Sequence, residues 1–239
     1  DEAHHVPAAT FSQVMMGMPA KIRLALTATP DRPDGLGDIM YWHFGKTLKS
    51  ITTPELIEMG NVLAPVVEFT PTYWEPRNER GEWTKLINEM CSDENRNQKI
   101  LDMVQKHVEA GRQVLVLSGR VQHCIDLAEQ VANLGISSAT LVGKMSSKQR
   151  SEVIDLADKR EIKALFATTV ADEGLDLPSL DTLILTVPTK SMGRIQQLVI
   201  DLVDAPTPLY KMHFKRSRFY EGIGCKIKTI EEVAGYGVQ

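Results

Sequence analysis

Short runs of apolar residues alternate with longer segments of helical periodicity over most of the chain. The runs that we predict as buried strands lie at residues 113–117, 138–142, 163–167, 182–186 and 198–203. The segments that we predict as helices lie at residues 121–134 and 148–159, and from a cap at Ser92 or Asp93 to Gly111. Because strands and helices alternate at this spacing, the pattern predicts an α/β fold with a parallel, doubly wound sheet and right-handed crossovers.

The first 70 residues predict the second half of another parallel α/β domain. Apolar runs at residues 21–27 and 62–69 have the composition of buried strands. Beyond them the chain becomes rich in tryptophan, proline and charged residues, which favours a connector with a short helix near residues 83–90. We therefore divide the chain into a first domain part at 1–70, a connector at 71–97, a second domain at 98–205 and a helical extension at 206–239.

Composition and charge exclude several classes of protein. With 43% hydrophobic and 24% charged residues the chain is globular, and its net charge of −4 argues against a uniformly basic nucleic-acid coat. Cys91, Cys124 and Cys225 have no CxxC spacing, so neither a disulfide framework nor a zinc site is indicated. No apolar run approaches the roughly 18 residues that cross a bilayer, and no signal peptide is apparent. We expect a cytoplasmic protein without a membrane partner.

Two acidic residues at the start of the chain precede a threonine-containing motif. Asp1, Glu2 and His4 belong to an Asp-Glu-Ala-His sequence, and Thr27 and Thr29 flank an alanine after the apolar run at 21–27. Adjacent carboxylates at a strand end suit a hydrated Mg²⁺ and a water aligned against a γ-phosphate. Together the segments resemble motifs II and III of superfamily 2 helicases, in the DEAH-containing branch with restriction-enzyme motor subunits and phage helicases.

The resemblance to these helicases implies two tandem RecA-like domains, the first only partial here, with ATP and Mg²⁺ as cofactors. It implies that Asp1 and Glu2 hold the metal and act in catalysis, and that His4 relays the state of the nucleotide. Thr27 and Thr29 are implied on the nucleotide side. It also implies movement along nucleic acid, with DNA expected more than RNA, by opening and closing of a cleft between the domains.

Residues 167–178 follow one predicted strand and precede another, and they resemble helicase motif V. The resemblance places Thr168 and Thr169 near nucleic-acid phosphates, and Gly174 and Asp176 near the nucleotide. Threonine hydroxyls donate to phosphates, glycine permits close backbone approach, and a carboxylate accepts from ribose hydroxyls. An ordinary βα loop with a glycine turn is the alternative.

Two weaker motifs follow the predicted strands at 113–117 and 138–142. Ser118, Gly143 and Lys144 could contact a phosphate backbone through a hydroxyl, a main-chain amide and an ammonium group. For each of the three, an ordinary turn of an α/β protein explains the residue equally well.

The chain departs from the family in two places. Helicase motif VI runs Gln-x-x-Gly-Arg-x-x-Arg, whereas a match on Gly193 and Arg194 puts Lys190 at the first position and Gln197 at the last. No G-x-x-x-x-G-K-S/T phosphate loop occurs. We therefore expect that a segment near Gln197 and a segment upstream of Asp1 are missing.

These departures leave three hypotheses for function. The first is a fragment of an ATP-dependent helicase, inactive as this chain alone. The second is a non-catalytic remnant that binds nucleic acid, and the third is the motor part of a restriction complex.

A basic stretch with interleaved aromatic residues lies near the end of the chain, at residues 210–220. Stacking rings and cations suit single-stranded nucleic acid. Helical spacing puts several of the rings on one apolar face, so a helix packed on its domain with solvated lysines is the alternative.

Overall fold

The chain divides into Asp1–Thr52 and Thr53–Gln239, which we call unit 1 and unit 2. The computed structural model describes residues 3–27, 35–77, 82–168, 177, 179–188, 197–204, 207 and 209–228. Within these ranges no helix is both long enough and apolar enough to cross a membrane.

Unit 1 contains short helices in the part that the structure describes. A 3₁₀ helix at Ala3–His5 is followed by α1 (Ala9–Gly17) and α2 (Gly37–Phe44). The predicted strand at residues 21–27 is wrong, because these residues form no strand and Ile22 and Leu24 are 87% and 75% exposed. An apolar run becomes a strand only where a neighbouring strand completes its hydrogen bonds, and residues 3–27 and 35–52 supply none.

Unit 2 is built on one parallel sheet of seven strands in its described residues. The strands are β1 (Val66–Pro71), β2 (Val114–Ser118), β3 (Ser138–Leu141), β4 (Ala164–Thr168), β5 (Thr182–Leu185), β6 (Leu198–Val203) and β7 (Lys226–Lys228). Their order across the sheet is β3-β4-β2-β5-β6-β1-β7, and each pairing in this order is parallel. The predicted parallel α/β fold is confirmed.

The described helices of unit 2 are α3 (Thr53–Glu58), α4 (Trp83–Cys91), α5 (Glu94–Glu109), α6 (Val121–Asn133), α7 (Ser147–Asp158) and α8 (Tyr210–Gly222). Side-chain caps start two of them, α5 and α7. The Asp93 carboxylate caps α5 by accepting from the Arg96 N–H at 2.7 Å. Ser146 and Gln149 form a reciprocal capping box at the start of α7. Gly135 follows α6 with a φ of +80°, a conformation that glycine adopts without steric cost.

The core of unit 2 has two layers, one on each face of the sheet. Alternate residues of a strand point to opposite faces, so Leu115 and Leu117 pack with α7 and α8, whereas Val114 and Val116 pack with α5 and α6. All five residues of β2 are buried. A strand that is buried on both faces reads as a continuous apolar run, which is why the pattern predicted it correctly.

The sheet of unit 2 includes a strand that the sequence assigned to a first domain. The strand predicted at residues 62–69 is β1, which starts at Val66 and pairs with β6 and β7 instead of joining a first domain. The chain passes from unit 1 to unit 2 between Thr52 and Thr53, whereas the predicted boundary lay after residue 70. The predicted helical extension contains α8 but also β7, and residues 71–97 contain α4 and the start of α5. Periodicity identifies a strand but does not identify its partner.

Candidate functional site

Polar side chains collect where the parallel strands of unit 2 end, and we call this border of the sheet the carboxyl edge. They lie at the last residue of a strand or directly after it, and all are buried: Thr72, Ser118, Thr168, Thr186 and Asp204. In open parallel sheets ligands bind at this edge. The position of these residues makes the carboxyl edge the candidate site.

Three neighbouring strands bring most of the described candidate residues together. Ser118 ends β2 and pairs in register with Thr168 at the end of β4. The next strand outward is β3, and the exposed Gly143 and Lys144 follow it by two and three residues. No carboxylate among the described residues forms an ion pair with Lys144. Ser118 and Thr168 are buried, whereas Lys144 is accessible to a ligand.

The hydroxyl of Ser118 is fully engaged inside the protein. It lies 2.9 Å from His123 Nδ1 and accepts from the Arg120 N–H at 3.2 Å. His123 Nε2 in turn lies 2.9 Å from Asn97 Oδ1, and the Asn97 amide donates to the Cys91 carbonyl at 2.9 Å. The chain of bonds links the ends of α4, α5, β2 and α6. Because this hydroxyl is buried and bonded, the geometry supports a role in shaping the turn, and its predicted phosphate contact stays a prediction.

His123 is neutral in this network. Its burial, helped by the nearby Arg96 guanidinium, lowers the pKa of His123 to about 4. A neutral imidazole completes all the bonds when the Ser118 hydroxyl donates to Nδ1 and the Nε2 proton is donated to Asn97. A second ring proton would point at a hydroxyl that already accepts from a main-chain amide.

A buried arginine holds three strand ends together. Arg96 Nε donates to Asp204 Oδ1 at 2.8 Å, and its Nη2 donates to Asp204 Oδ2 at 3.3 Å and to the Thr186 carbonyl. The Thr72 hydroxyl donates to the same Asp204 carboxylate at 2.5 Å. Both side chains of the Arg96–Asp204 pair are 0% exposed. The pair therefore joins α5 to the ends of β5, β6 and β1.

Sequence reasoning missed Arg96, Asp204 and His123, although a signal for the arginine exists. Arg96 precedes the apolar Ile100 and Val104 at four-residue spacing, so it lies on the buried face of α5. A charged residue on such a face requires a buried partner. The identity of that partner, 108 residues further along the chain, depends on which strands are neighbours.

In unit 1, contacts between described residues join the acidic motif to the threonine motif. His4 Nδ1 lies 2.9 Å from Thr27 Oγ1, and the Ala3 N–H donates to the Leu26 carbonyl at 3.0 Å. The predicted Asp1, Glu2 and Thr29 lie outside the described residues. Among the residues that are described, no group of three metal-ligating side chains occurs.

Comparison with known proteins identifies the segment that carries the site. Residues 95–199 match the family model described as the helicase conserved C-terminal domain. Residues 95–199 are thus similar to helicase C-terminal domains. The matched residues include Ser118, Gly143, Lys144 and Thr168. The resemblance to superfamily 2 helicases is confirmed, whereas membership of the DEAH-containing, restriction-type branch stays a prediction.

Relatives of the helicase domain occur in viruses. The chain is 27% identical over 215 residues to "Putative helicase 22" of Sulfolobus islandicus filamentous virus, covering 83% of this chain and 38% of the relative. It is 27% identical over 245 residues to "Putative ATP-dependent RNA helicase L396" of Acanthamoeba polyphaga mimivirus, covering 92% of this chain and 45% of the relative. The chain thus spans less than half the length of either protein.

A solved helicase structure supports the fold. The Saccharomyces cerevisiae protein Dbp5 L327V bound to RNA and ADP BeF3 aligns with a TM-score of 0.64 at 15% identity. The alignment covers 95% of this chain and 58% of that chain. It supports the RecA-like architecture of unit 2.

Other residues predicted for the helicase domain fall outside the described part of the chain. They are Thr169, Gly174 and Asp176 of the motif V segment and Lys190, Gly193 and Arg194 of the motif VI segment. The described residues Ala167 and Leu177 of the motif V segment are buried in the core on the α7 and α8 face, as is Leu180 beyond it. Gln197 precedes β6, and its carbonyl accepts from the Val66 N–H at 2.9 Å.

Proposed function

We propose that this chain is part of an ATP-dependent superfamily 2 helicase or translocase, and that unit 2 holds the nucleic-acid backbone at its carboxyl edge. The observation that carries the proposal is the adjacency of Thr168, Gly143 and Lys144 on neighbouring strand ends within the helicase-matched segment. Ser118 supports them by fixing the turn after β2 through its bond to His123.

The chemistry of this edge suits phosphates and not base edges. Lys144 contributes one exposed cation, and Gly143 leaves its main-chain amide approachable. A Cβ added at Gly143 would meet no atom within 4 Å, so packing within the described residues does not require glycine there. Glycine at this position would allow a ligand to approach the backbone closely. Contacts of this kind bind any sequence and weaken with salt.

For the nucleotide, we propose that Asp1 and Glu2 hold Mg²⁺ and align water, and that Thr27 and Thr29 serve nucleotide binding. From the resemblance of residues 167–178 to motif V we also propose Gly174 and Asp176 as nucleotide-binding residues. Carboxylate oxygens are the ligands that Mg²⁺ prefers. The contact of His4 with Thr27 supports the relay role proposed for His4, because it joins the acidic motif to the threonine motif. Bound Mg·ATP would supply the phosphoryl-transfer chemistry that drives movement.

The type of nucleic acid is proposed from the sequence, with DNA expected before RNA. One of the viral relatives is named an RNA helicase, so both polymers belong in the same experiment. The motor of a restriction complex remains the alternative within helicases. A non-catalytic nucleic-acid-binding remnant is the alternative from another class, motivated by the phosphate loop that the 239 residues lack.

A single substitution tests the proposed interface. Lys144→Ala should weaken binding about equally for unrelated oligonucleotide sequences, and should lower the slope of log K against log salt by roughly one. Fluorescence anisotropy with two unrelated single-stranded DNAs and their RNA equivalents, over a series of salt concentrations, measures both quantities.

Lys163→Ala is the matched control for Lys144→Ala. Lys163 is also an exposed lysine, but it precedes β4 and so lies at the opposite edge of the sheet. The Lys163→Ala variant should leave the oligonucleotide affinity and the salt slope unchanged. Gly143→Ala should lower affinity without changing the thermal midpoint, since the added methyl group has space in the free protein. Equal binding by Lys144→Ala and the parent chain would remove the carboxyl edge from the interface.

A further inference from the structure

Helix α8 presents two faces of different character. On its buried face Arg216 forms a bidentate pair with Asp201 of β6, with Nε–Oδ2 and Nη2–Oδ1 distances of 2.6 and 2.7 Å. The Tyr220 hydroxyl donates to the same carboxylate at 2.9 Å, and Tyr220 is 0% exposed. These bonds fix the rotation of the helix about its axis, so the opposite face must point to solvent.

The opposite face combines cations with aromatic rings. At 100° per residue, its five side chains fall within an arc of about 140°. In order around the helix they are Phe214, Arg218, Lys211, Lys215 and Phe219, and we call them the basic–aromatic face. All five are exposed, and the two phenylalanine rings are 48% and 41% exposed. The three cations lie between the two rings.

The charge of this face is not neutralised by neighbouring carboxylates. Among the described residues none forms an ion pair with Lys211, Lys215 or Arg218. The fourth cation of the helix, Arg216, is already paired with Asp201 on the buried face. An unpaired cluster of three cations on a chain of net charge −4 marks a local site for a polyanion.

We propose that the basic–aromatic face binds single-stranded nucleic acid. Lys211, Lys215 and Arg218 attract the phosphates, while Phe214 and Phe219 offer platforms on which unpaired bases stack. The proposal rests on the proposed function, because it assumes that the protein acts on nucleic acid. It adds a contact that lies outside residues 95–199, the segment matched to the helicase family.

The rings make the face selective for single strands. In a duplex the bases are already stacked on one another, so the phenylalanines gain no partner and only the cations contribute. In a single strand both the cations and the rings contribute. The face should therefore discriminate between the two forms, which cations alone would not do.

Two sets of variants separate the contributions of charge and ring. The triple variant Lys211→Ala, Lys215→Ala, Arg218→Ala should lower the salt slope for a single-stranded oligonucleotide by roughly two, at about 0.7 per phosphate contact. Phe214→Leu with Phe219→Leu should weaken single-strand binding at least about fivefold with an unchanged slope. Phe214→Trp with Phe219→Trp keeps aromatic platforms and should retain parental affinity.

The matched control removes three exposed lysines elsewhere in unit 2. Lys106→Ala, Lys159→Ala, Lys163→Ala changes the net charge by the same amount and leaves α8 intact. Its binding should stay within about twofold of the parent, as expected when no phosphate contact is lost. Thermal unfolding of every variant shows whether the fold is retained, and Arg216 and Tyr220 are left unchanged for that reason.

Anisotropy titrations of single-stranded and blunt duplex oligonucleotides give distinct outcomes. Weaker single-strand binding by both variants, with duplex binding lowered in the triple variant and retained in the leucine variant, supports the proposal. Parental binding by both variants overturns it and leaves the proposed function standing. A loss confined to the triple variant and equal on single strand and duplex shows a non-selective cation patch and overturns it too. If the parent chain binds neither form, the proposed function and this inference fail together. A face that serves a protein partner instead would give parental nucleic-acid binding in both variants.

Discussion

At the scale of single residues, the buried polar groups of the carboxyl edge act mainly on one another. Ser118, His123 and Asn97 form a continuous chain of hydrogen bonds, and Arg96 joins three strand ends through Asp204. Such groups are stable inside a protein only when they are paired. They hold the ends of β1, β2, β5 and β6 at the same edge of the sheet as the exposed Lys144 and Gly143.

The neutral state of His123 predicts how acid affects the fold. A histidine in the unfolded chain takes up a proton near pH 6.5, whereas burial lowers the pKa of His123 to about 4. Between these values the unfolded state binds more protons, so the free energy of unfolding falls as the pH falls, by about 3 kcal/mol in total. Urea unfolding of the parent chain at a series of pH values from neutral to about 4 measures this loss.

His123→Gln should reduce that pH dependence by removing one of the buried histidines whose pKa is lowered. His43→Gln, on a helix of unit 1, is the control for replacing a histidine elsewhere in the chain. A parental slope in His123→Gln would mean that other groups cause the acid sensitivity, and that His123 is not held neutral.

At the scale of elements, β6 carries a carboxylate inside an otherwise apolar strand. Asp201 shares a sheet face with Val199 and Val203, so it points into the core layer beneath α8. Arg216 and Tyr220 meet it there. Burial, followed by the charge of Asp201, raises the pKa of Tyr220, so this hydroxyl stays protonated and donates.

Asp201→Asn should destabilise unit 2 strongly. The side chains of Arg216 and Asp201 are 6% and 1% exposed, so loss of the carboxylate leaves a buried guanidinium charge. The free energy of unfolding should fall by about 3–5 kcal/mol. Glu68→Gln is the control, because it breaks the more exposed Lys228–Glu68 pair between β7 and β1 and should cost less than about 1 kcal/mol. Denaturant unfolding compares the two. A cost for Asp201→Asn as small as that of Glu68→Gln would show that α8 is held by its apolar contacts alone.

Element boundaries were predictable where a strand is buried on both faces. The predictions for β2 to β6 each lie within one residue of the structure. β2, β4, β5 and β6 are buried along their whole length, whereas β3 is buried only at Leu141. The strand predicted at residues 21–27 is not formed, and the strand predicted at residues 62–69 belongs to the sheet of unit 2 instead of a first domain. Both errors arise because periodicity does not show which strand is the neighbour. The sequence placed Ser118 and Thr168 at strand ends, whereas their adjacency and the Arg96–Asp204 pair depend on which strands are neighbours.

At the scale of the whole molecule, the two units differ in how much of their apolar surface is buried. Unit 2 has a core layer on each face of its sheet, while unit 1 exposes Ile22, Leu24 and Trp42 in its described residues. Exposed apolar residues in such number are uncommon on a self-sufficient domain. That unit 1 is part of a RecA-like domain stays a prediction from the sequence.

The last prediction concerns catalysis by the chain itself. We expect negligible ATP hydrolysis by the purified 239 residues, with or without nucleic acid. The chain has no G-x-x-x-x-G-K-S/T loop to cradle phosphates, and Lys190 and Gln197 stand where motif VI has glutamine and arginine. An arginine finger alone contributes roughly 10³–10⁵ in rate.

Phosphate release measured beside a Glu2→Gln variant separates true turnover from contamination, because the amide does not accept a proton from the attacking water. Turnover on the order of 1 s⁻¹ that disappears in Glu2→Gln would contradict the prediction and establish Glu2 as the base. Equal residual rates in both proteins would agree with it.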